Sequence, residues 1–536
     1  MAPDGQPAGE PPLGNARRWA ITVTVMLVSV LQVLDTSVTN VALPHIQGAL
    51  SAGLDEVSWV LTSYLAANAI ALPATGWLTA RLGRRRFFLI CTALFTVSSF
   101  LSAVAPSIEF LIAMRILQGL GGGPIIPVAQ AVLWEIFPPH QRGMAMAVWG
   151  LGIVLAPTFG PTVGGWIADN WSWRWIFYIN LPIGVLGFFM ASALLTDSAH
   201  AKPPGRVDVS GLLLMVLGFG CLQLVLDRGE RADWFDSTAV TAMAMVAVVA
   251  LAAFVIRELT AKEPLVDLAV FADRNFTLGS VMMALAGFGF YASMLLLALF
   301  TQKLMSYDAW TSGLVLAPSG IGQAIMLVIV GRLVNRADQR WLLAFGVLMN
   351  GLATLLMSNA SLGSDFWALA WPRLVQGIGM GCIFVPLQML ALASVPISQL
   401  PNATALFSVV RNVGGSAGVA ISTTLLSRRA QTHQSSLAAH VNIWDPETAE
   451  RLRQWTDHFL MRGADTATAG RQSMAMLYRE TQVQAQVLAF MDDFRVLAMM
   501  YAALVVLVIL MRRVRPIPAA QGSKSPTESA LVAPAE

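Results

Sequence analysis

The sequence predicts an all-α integral membrane protein with about fourteen transmembrane helices. Of its 536 residues, 56% are hydrophobic and only 12% are charged, and the mean hydropathy is +0.64. Soluble domains carry about 25% charged residues, so a chain with half that share could not cover its surface in water. The apolar residues also come in runs of roughly the twenty that a helix needs to cross a bilayer, whereas a β-barrel would show short alternating strands.

Fourteen such runs follow one another along the chain. We place them at approximately 19–41, 57–80, 87–105, 110–134, 143–168, 173–195, 209–226, 237–256, 276–301, 311–334, 341–358, 364–394, 402–427 and 494–511. The first run is too long for a signal peptide and lacks a convincing cleavage site, so we expect it to be retained as a span. An even number of spans puts both termini on one side of the membrane.

The charged loops predict which side that is. Arg17 and Arg18 precede the first span, and four arginines follow the second, whereas the alternate loops are neutral or acidic. By the positive-inside rule, both termini are cytoplasmic. The net charge of +3 is too small to suggest a nucleic-acid partner, and the three cysteines lie in apolar runs, so neither a disulfide framework nor a metal site is predicted.

Two spans resemble each other. Span four reads RILQGLGGGPIIPVAQ from Arg115, and span twelve reads RLVQGIGMGCIFVPLQ from Arg373. Each is the fourth span of a set of six, so the chain is predicted to be a duplicated six-helix bundle with two extra spans between the halves, which is transporter architecture. The predicted divisions are a cytoplasmic tail 1–18, an N-terminal bundle 19–195, a linker with two spans 196–275, a C-terminal bundle 276–511 and a disordered cytoplasmic tail 512–536.

One long loop, residues 428–493, is predicted on the non-cytoplasmic side. It contains DPETAERLRQWTDHFLMRG, a helical pattern that starts with proline and ends with glycine, and then a second helical stretch. We expect a small helical hairpin above the last two spans.

Ionisable residues within the spans are the strongest functional candidates, because a charge at a span's centre costs about 2.5–3.5 kcal/mol and faces the protein interior. Asp35 in span one is followed by small polar residues that suit a wet cavity wall. Arg115 can pair with this acid in one state and release it in another, so we expect the two to couple transport to protons. The alternative is a static ion pair that fixes helix packing. Glu135 and Asp197 lie at span ends, where water is close, and receive little weight.

Span nine of the second half contains no acid, so backbone carbonyls or substrate are the expected partners of Arg373. A purely structural role for Arg373 is at least as compatible with the sequence. A mostly apolar cavity is expected among spans one, four, nine and twelve. Its candidate lining residues are Gln32, Asn40, Gln118, Phe288, Phe290, Tyr291, Arg373, Gln376 and Arg411.

Span five reads GIVLAPTFGPTVGG. Its prolines bend a helix and its glycines let another helix approach closely, so the span either seals one half against the other or provides a general packing face. The residues concerned are Gly152, Pro157, Gly160, Pro161, Gly164 and Gly165. The loop GWLTARLGRRRFF after span two, with Gly76, Gly83 and Arg84, is either a conformational latch or a topology signal.

Several motifs are missing from the sequence. It contains no GxxxxGK[ST] phosphate loop, no HExxH and no Cys/His cluster, so we expect no cofactor and no metal, and ATP is not the predicted fuel. The remaining energy source is an ion gradient, in which one charge crossing 100 mV is worth about 2.3 kcal/mol.

Five stretches carry a resemblance to a known family: LDTSVTNVALP (34–44), GWLTARLGRRR (76–86), LIAMRILQGLGGG (111–123), GIVLAPTFGPTVGG (152–165) and WRWIFYINLPIG (173–184). With them the chain resembles the major facilitator superfamily, in particular its fourteen-span drug:proton antiporters of the EmrB/QacA type. The resemblance implies the major facilitator fold, a 6+2+6 arrangement, proton transfer at Arg115, and export of hydrophobic or amphipathic compounds by alternating access from a bacterial inner membrane.

The resemblance has one departure and one extension. The cytoplasmic-loop motif usually carries an acid where this sequence has Ala80, which puts the charge relay of the latch in doubt, although Gly76, Gly83 and Arg84 remain. The long loop resembles that of Gram-negative Emr-type pumps, which work with a periplasmic adaptor and an outer-membrane channel. The same loop would otherwise only cap the outer vestibule.

Two other functions stay open on the sequence. A proton-linked importer or facilitator would share the fold, but the prolines and glycines of span five argue against it. A polytopic membrane enzyme would need catalytic acids, a metal cluster or a phosphate-binding motif, and none is convincing.

Overall fold

The computed structural model describes residues 14–197, 208–334, 336–442 and 444–513. The predicted tails fall largely outside these ranges, as does part of the linker after the first bundle. Seventeen α-helices follow in chain order: α1 (Asn15–Ala49), α2 (Leu54–Leu82), α3 (Arg84–Ala103), α4 (Ile108–Gly122), α5 (Ile125–Ile136), α6 (Pro139–Asn170), α7 (Trp175–Tyr178), α8 (Asn180–Leu194), α9 (Val209–Arg228), α10 (Thr238–Thr260), α11 (Arg274–Leu299), α12 (Ala309–Leu333), α13 (Gln339–Met357), α14 (Phe366–Leu392), α15 (Leu400–His440), α16 (Pro446–Met461) and α17 (Thr466–Leu510).

The described residues contain fourteen helical stretches that are long and apolar enough to cross a membrane, which confirms the predicted number. Two of these spans are made of two helices each. The fourth joins α4 to α5 across Gly123 and Pro124, and the sixth joins α7 to α8. Most helices extend a few residues beyond the predicted runs, because polar residues at the interface continue the helix after the apolar stretch ends.

The helices pack as two groups that meet along a seam. In the first group α1 packs on α6 and α8, and α4 packs on α2 and α3; in the second α11 packs on α15, and α14 packs on α12 and α13. The seam is formed by α2 and α5 against α15, and by α6 against α12. The extra pair, α9 and α10, packs together, and α9 lies over the seam against both α2 and α15.

Several close contacts across the seam lie at the predicted cytoplasmic end. A Cβ at Gly76 would come within 2.9 Å of the backbone of Asn402, and one at Gly331 within 2.8 Å of Ala147. There too, the hydroxyl of Thr404 donates to the carbonyl of Pro127 at 3.0 Å. The two halves are therefore held together at this end of the molecule.

At the predicted outer end, α9 connects both halves. Thr62 on α2 donates to Asp227, Gln223 donates to Ser416 on α15 at 3.1 Å, and Trp234 donates to Thr424 at 2.8 Å. The N-terminus of α9, at the predicted cytoplasmic end, is capped by Asp208. The guanidinium of Arg257 beside it lowers the pKa of that carboxyl to about 2.

The helices predicted in the loop at 428–493 are present, but much of this stretch continues two of the spans. Residues 428–440 continue α15 and residues 466–493 continue α17, so only the segment around α16 connects the two. The helix predicted in DPETAERLRQWTDHFLMRG is present as α16 and ends before Gly463, whose φ of +92° suits glycine. The predicted hairpin therefore consists of α16 packed against the extended end of α17.

Candidate functional site

The centre of the candidate site is a buried ion pair between α1 and α4. The Nη1 atom of Arg115 donates to the Oδ2 atom of Asp35 at 2.6 Å, and the two side chains are 0% and 1% exposed. Both charges were predicted from their positions in apolar runs, and the structure brings them into direct contact. A buried ion pair of this kind needs further hydrogen bonds to offset the desolvation of both partners.

Two amides supply those hydrogen bonds to the acid. Gln118 and Asn180 each donate from their amide nitrogen to the Oδ1 atom of Asp35 at 2.8 Å. The carboxylate thus accepts from three donors on two helices: Arg115 and Gln118 on α4, and Asn180 on α8. These hydrogen bonds satisfy oxygen atoms of the carboxylate that water does not reach.

Arg115 also has partners of its own. Its Nε atom donates to the carbonyl of Val60 at 3.0 Å, and its guanidinium lies 4.3 Å from the ring centroid of Tyr64. Cation–π contacts of this type stabilise a desolvated guanidinium. The arginine can therefore stay in place when the acid beside it loses its charge.

The arginine of the second half lies in an equivalent network. Arg373 is 1% exposed, its Nη1 atom donates to Gln376, and its Nη2 atom donates to the hydroxyl of Ser319 at 3.1 Å. These partners are side chains rather than the backbone carbonyls that the sequence led us to expect. No acidic side chain among the described residues forms an ion pair with it, in agreement with the absence of an acid in span nine.

The other candidate cavity residues differ in exposure. Tyr291 is 44% exposed, and its ring lies 5.6 Å from that of the half-buried Phe290. The ring of Tyr291 also packs on Gly415 of α15, one turn beyond the half-buried Arg411. These residues come together between α11 and α15.

Three further candidates lie on α1 and α11. Gln32 is buried near Gly122 and Tyr64, whereas Asn40 is exposed on α1 beyond Asp35. Phe288 is half-buried on α11.

The glycine-rich motif of α6 lies against α1. A Cβ at Gly152 would come within 2.7 Å of Met26, and one at Gly164 within 2.8 Å of Val38, while Gly160 faces Ser37. Gly165 has ordinary contact with α1, and α6 continues as one helix through Pro157 and Pro161. The motif therefore packs on the helix that carries Asp35, and other residues of α6 meet the second half.

Two acids, Glu135 and Asp197, contact the arginines of the cytoplasmic-loop motif. The sequence alone gave little reason to expect a functional role for either. Arg84 forms an ion pair with Glu135 at the end of α5, and its Nη2 atom donates to the carbonyl of Thr196 at 3.0 Å. The carboxylate of Asp197 accepts from the backbone N–H of Arg85 at 2.9 Å. Position in the chain indicated that these acids lie near water, but not that the loop folds back on them.

Asn180 is the functional candidate that sequence reasoning missed. It is 0% exposed at the start of α8, where its amide joins Asp35 to the hydroxyl of Ser99 at 3.0 Å. The only signal in the sequence is its place in the stretch WRWIFYINLPIG, because a neutral amide in a span is inconspicuous by itself.

Comparison with known proteins gives a consistent result. Residues 25–419 match the family described as Major Facilitator Superfamily. The chain is 37% identical to the multidrug export protein EmrB of Haemophilus influenzae over 93% of this chain and 96% of that protein, and 36% identical to the fatty acid resistance protein FarB of Neisseria gonorrhoeae over 83% and 88%. The crystal structure of the human organic anion transporter MFSD10 (TETRAN) has a similar fold, with a TM-score of 0.58 at 13% identity, over 93% of this chain and 100% of that one.

Proposed function

The chain belongs to the major facilitator superfamily, and from this premise we propose that it is a proton-coupled exporter of hydrophobic or amphipathic compounds. Its similarity to Emr-type export proteins supports multidrug efflux as the general function and a bacterial inner membrane as its place. The proposal adds the energy source, antiport with protons, and alternating access between the two helix groups as the mechanism.

The observation that carries the proton coupling is the buried pair of Asp35 and Arg115. A proton that reaches Asp35 neutralises the carboxylate, and the ion pair and both amide hydrogen bonds then weaken together. Because these bonds join α1 to α4 and α8, protonation changes how three helices of one half are held. Arg115 keeps its place over the ring of Tyr64 and can pair with the acid again when the proton leaves.

The position of α6 connects this event to the other half. Its glycines lie against α1 beside Asp35, and other residues of the same helix contact α12 across the seam. A shift of α1 on protonation therefore changes a helix that touches the opposite half. In this structure the two helix groups are in contact at the predicted cytoplasmic end. This contact supports a cycle in which the groups next separate at the outer end.

The substrate would be bound by apolar and aromatic side chains between the halves. Phe288, Phe290 and the exposed Tyr291 on α11 are the candidates, with Arg411 nearby on α15. An amphipathic compound suits such a surface, because its apolar part packs on rings and its polar part reaches the arginine.

The experiment that tests the proposal compares Asp35→Asn with Asp308→Asn in proteoliposomes. Asparagine keeps the shape of Asp35 but cannot gain or lose a proton, so substrate efflux driven by a pH gradient should fall to the level of empty liposomes. Asp308 is an exposed helix cap that asparagine can replace, so its variant should transport like the wild type.

The readouts are substrate flux and the proton movement reported by a pH-sensitive dye. Substrate exchange without a gradient should persist in Asp35→Asn, which shows that the variant is folded. Normal gradient-driven efflux by this variant would refute the coupling role, and uptake stimulated by the gradient would favour an importer.

We also propose that the pump works with a periplasmic adaptor and an outer-membrane channel, and that the adaptor docks on the hairpin of α16 and α17. The supporting observation is that large apolar side chains lie exposed at both ends of α16: Trp444 is 89% exposed and Met461 is 82% exposed.

A further inference from the structure

The two halves contain the same buried arginine–glutamine network with a different third member. In the first half, Arg115 donates to Gln118, which donates to Asp35. In the second, Arg373 donates to Gln376, whose amide donates to the hydroxyl of Ser293 at 2.7 Å. The glutamine lies 83 residues after its partner in both halves. Ser293 therefore occupies the place that Asp35 occupies in the first half.

Because a serine stands where the first half has an aspartate, the guanidinium of Arg373 lacks a counter-charge among the described residues. Arg373 is 1% exposed, and the described residues place only neutral partners around it: Gln376, Ser319 and the phenol of Tyr501. A charge removed from water is costly unless an opposite charge and hydrogen bonds compensate it. In the first half Asp35 provides that compensation, and the serine hydroxyl cannot.

Two hydrogen-bond donors near this arginine have no acceptor in the protein. They are the Nε–H of Arg373 and the hydroxyl of Tyr501, which is 0% exposed on α17. The hydroxyl of Tyr501 lies against Gly289, one helical turn before Ser293 on the same face of α11. Unpaired donors from α14 and α17 thus lie near the turn of α11 that carries Ser293, whose own hydroxyl accepts from Gln376 and donates to the carbonyl of Phe290 at 3.0 Å.

We propose that Arg373 and Tyr501, beside Ser293, form a binding site for a small inorganic monoanion such as chloride, with the guanidinium and the phenol as its donors. One buried guanidinium calls for one negative charge, so a monoanion fits and a divalent anion overcompensates. The side chain of aspartate exceeds that of serine by only one carbon and one oxygen atom, so the anion that replaces the missing charge has to be compact. The anion neutralises Arg373 in the second half, as Asp35 neutralises Arg115 in the first. This proposal is independent of which compound the protein transports.

The test measures the melting temperature of the purified full-length protein in detergent, in sodium chloride and in sodium gluconate of equal ionic strength. An anion that binds only the folded protein should raise the melting temperature by roughly 1–2 °C for each tenfold increase in chloride above its dissociation constant. Gluconate is too large for the site and controls for ionic strength.

A pair of variants makes the test specific. Ser293→Asp places a carboxylate beside Arg373, as in the first half, so the chloride response should disappear while the stability in gluconate is kept or raised. Ser293→Ala removes the hydroxyl without adding charge and should keep most of the response. Arg373→Gln should abolish it.

Two results would overturn the proposal. One is a wild-type melting temperature that is the same in chloride and gluconate. The other is a Ser293→Asp variant that responds to chloride as strongly as Ser293→Ala does. If Arg373→Gln does not fold, the two variants at position 293 still decide the question.

Discussion

At the residue scale, one amide sets the environment of the central acid. Asn180 donates to Asp35 at 2.8 Å and to the hydroxyl of Ser99 at 3.0 Å, and none of these groups is open to water. Each hydrogen bond to a buried charge is worth more than one at the surface, since the alternative is a desolvated group without a partner.

We expect Asn180→Leu to lower the free energy of unfolding in mixed micelles by about 1–2 kcal/mol, because Asp35 and Ser99 both lose a buried donor. Asn170→Leu is the matched control. Asn170 is exposed and bonds only within its own helix, so its replacement should cost less than about 0.5 kcal/mol. Equal effects of the two variants would mean that the amide of Asn180 does not stabilise the buried acid.

The two residues of the central ion pair could be predicted from the sequence, whereas their neutral partners could not. A charge within an apolar run is conspicuous, and Asp35 and Arg115 stand out for this reason. Asn180 and Ser293 are neutral, so their importance appears only when packing places them beside a charge. Glu135 and Asp197 were underestimated because a position at a span end does not reveal which loop folds onto it.

At the element scale, the first turn of α15 is held by an acid from the linker before α11. Asp267 accepts from Gln399 at 3.0 Å, and its backbone exchanges hydrogen bonds with the side chain of Asn402. A negative charge at a helix N-terminus is stabilising.

The same turn of α15 packs on Gly76 of α2. Ala80 follows Gly76 one turn later on the same face of α2, and it stands where the loop motif usually has an acid. Asp267 therefore provides a negative charge close to the place where the motif lacks one.

We expect Asp267→Ala to reduce the efflux rate several-fold, since the lost hydrogen bond from Gln399 costs about 1 kcal/mol of the closed state at this end. Adding Ala80→Asp should restore part of the rate, because the new carboxylate faces the same helix N-terminus. Asp273→Ala is the control: Asp273 caps α11 instead, so Ala80→Asp should not rescue it. A double-mutant cycle on efflux rates measures the coupling, and a coupling energy of zero for positions 80 and 267 would contradict this account.

At the scale of the whole molecule, hydropathy and the repeated Arg–Gln pattern were sufficient to predict fourteen spans in a 6+2+6 order. They could not predict that α15 and α17 continue far beyond the apolar runs. Hydropathy reports where a helix enters lipid, whereas helix continuity depends on backbone hydrogen bonds that a polar stretch also satisfies. The sequence therefore predicted helices within 428–493, among them α16 from its own start and stop signals, but not that the flanking parts continue the adjacent spans.

The exposed side chains of the hairpin give a prediction at the same scale. We expect Trp444→Ser combined with Met461→Ser to reduce drug resistance of whole cells about tenfold or more, because interface anchors of this size each contribute on the order of 1–2 kcal/mol. Transport by the same variant in proteoliposomes, where no adaptor is present, should be unchanged. A matching loss in both assays would place these side chains in the transport step itself.

The continuity of α17 has a mechanical consequence. Residues 466–493 form a rigid rod about 42 Å long at 1.5 Å per residue, so a rotation of its base by about 15° would carry its tip through about 10 Å. Because the same helix belongs to the second group of helices, the proposed alternating access would move α16 with every cycle. A protein bound at that tip would then move in step with turnover, without a hinge between pump and partner.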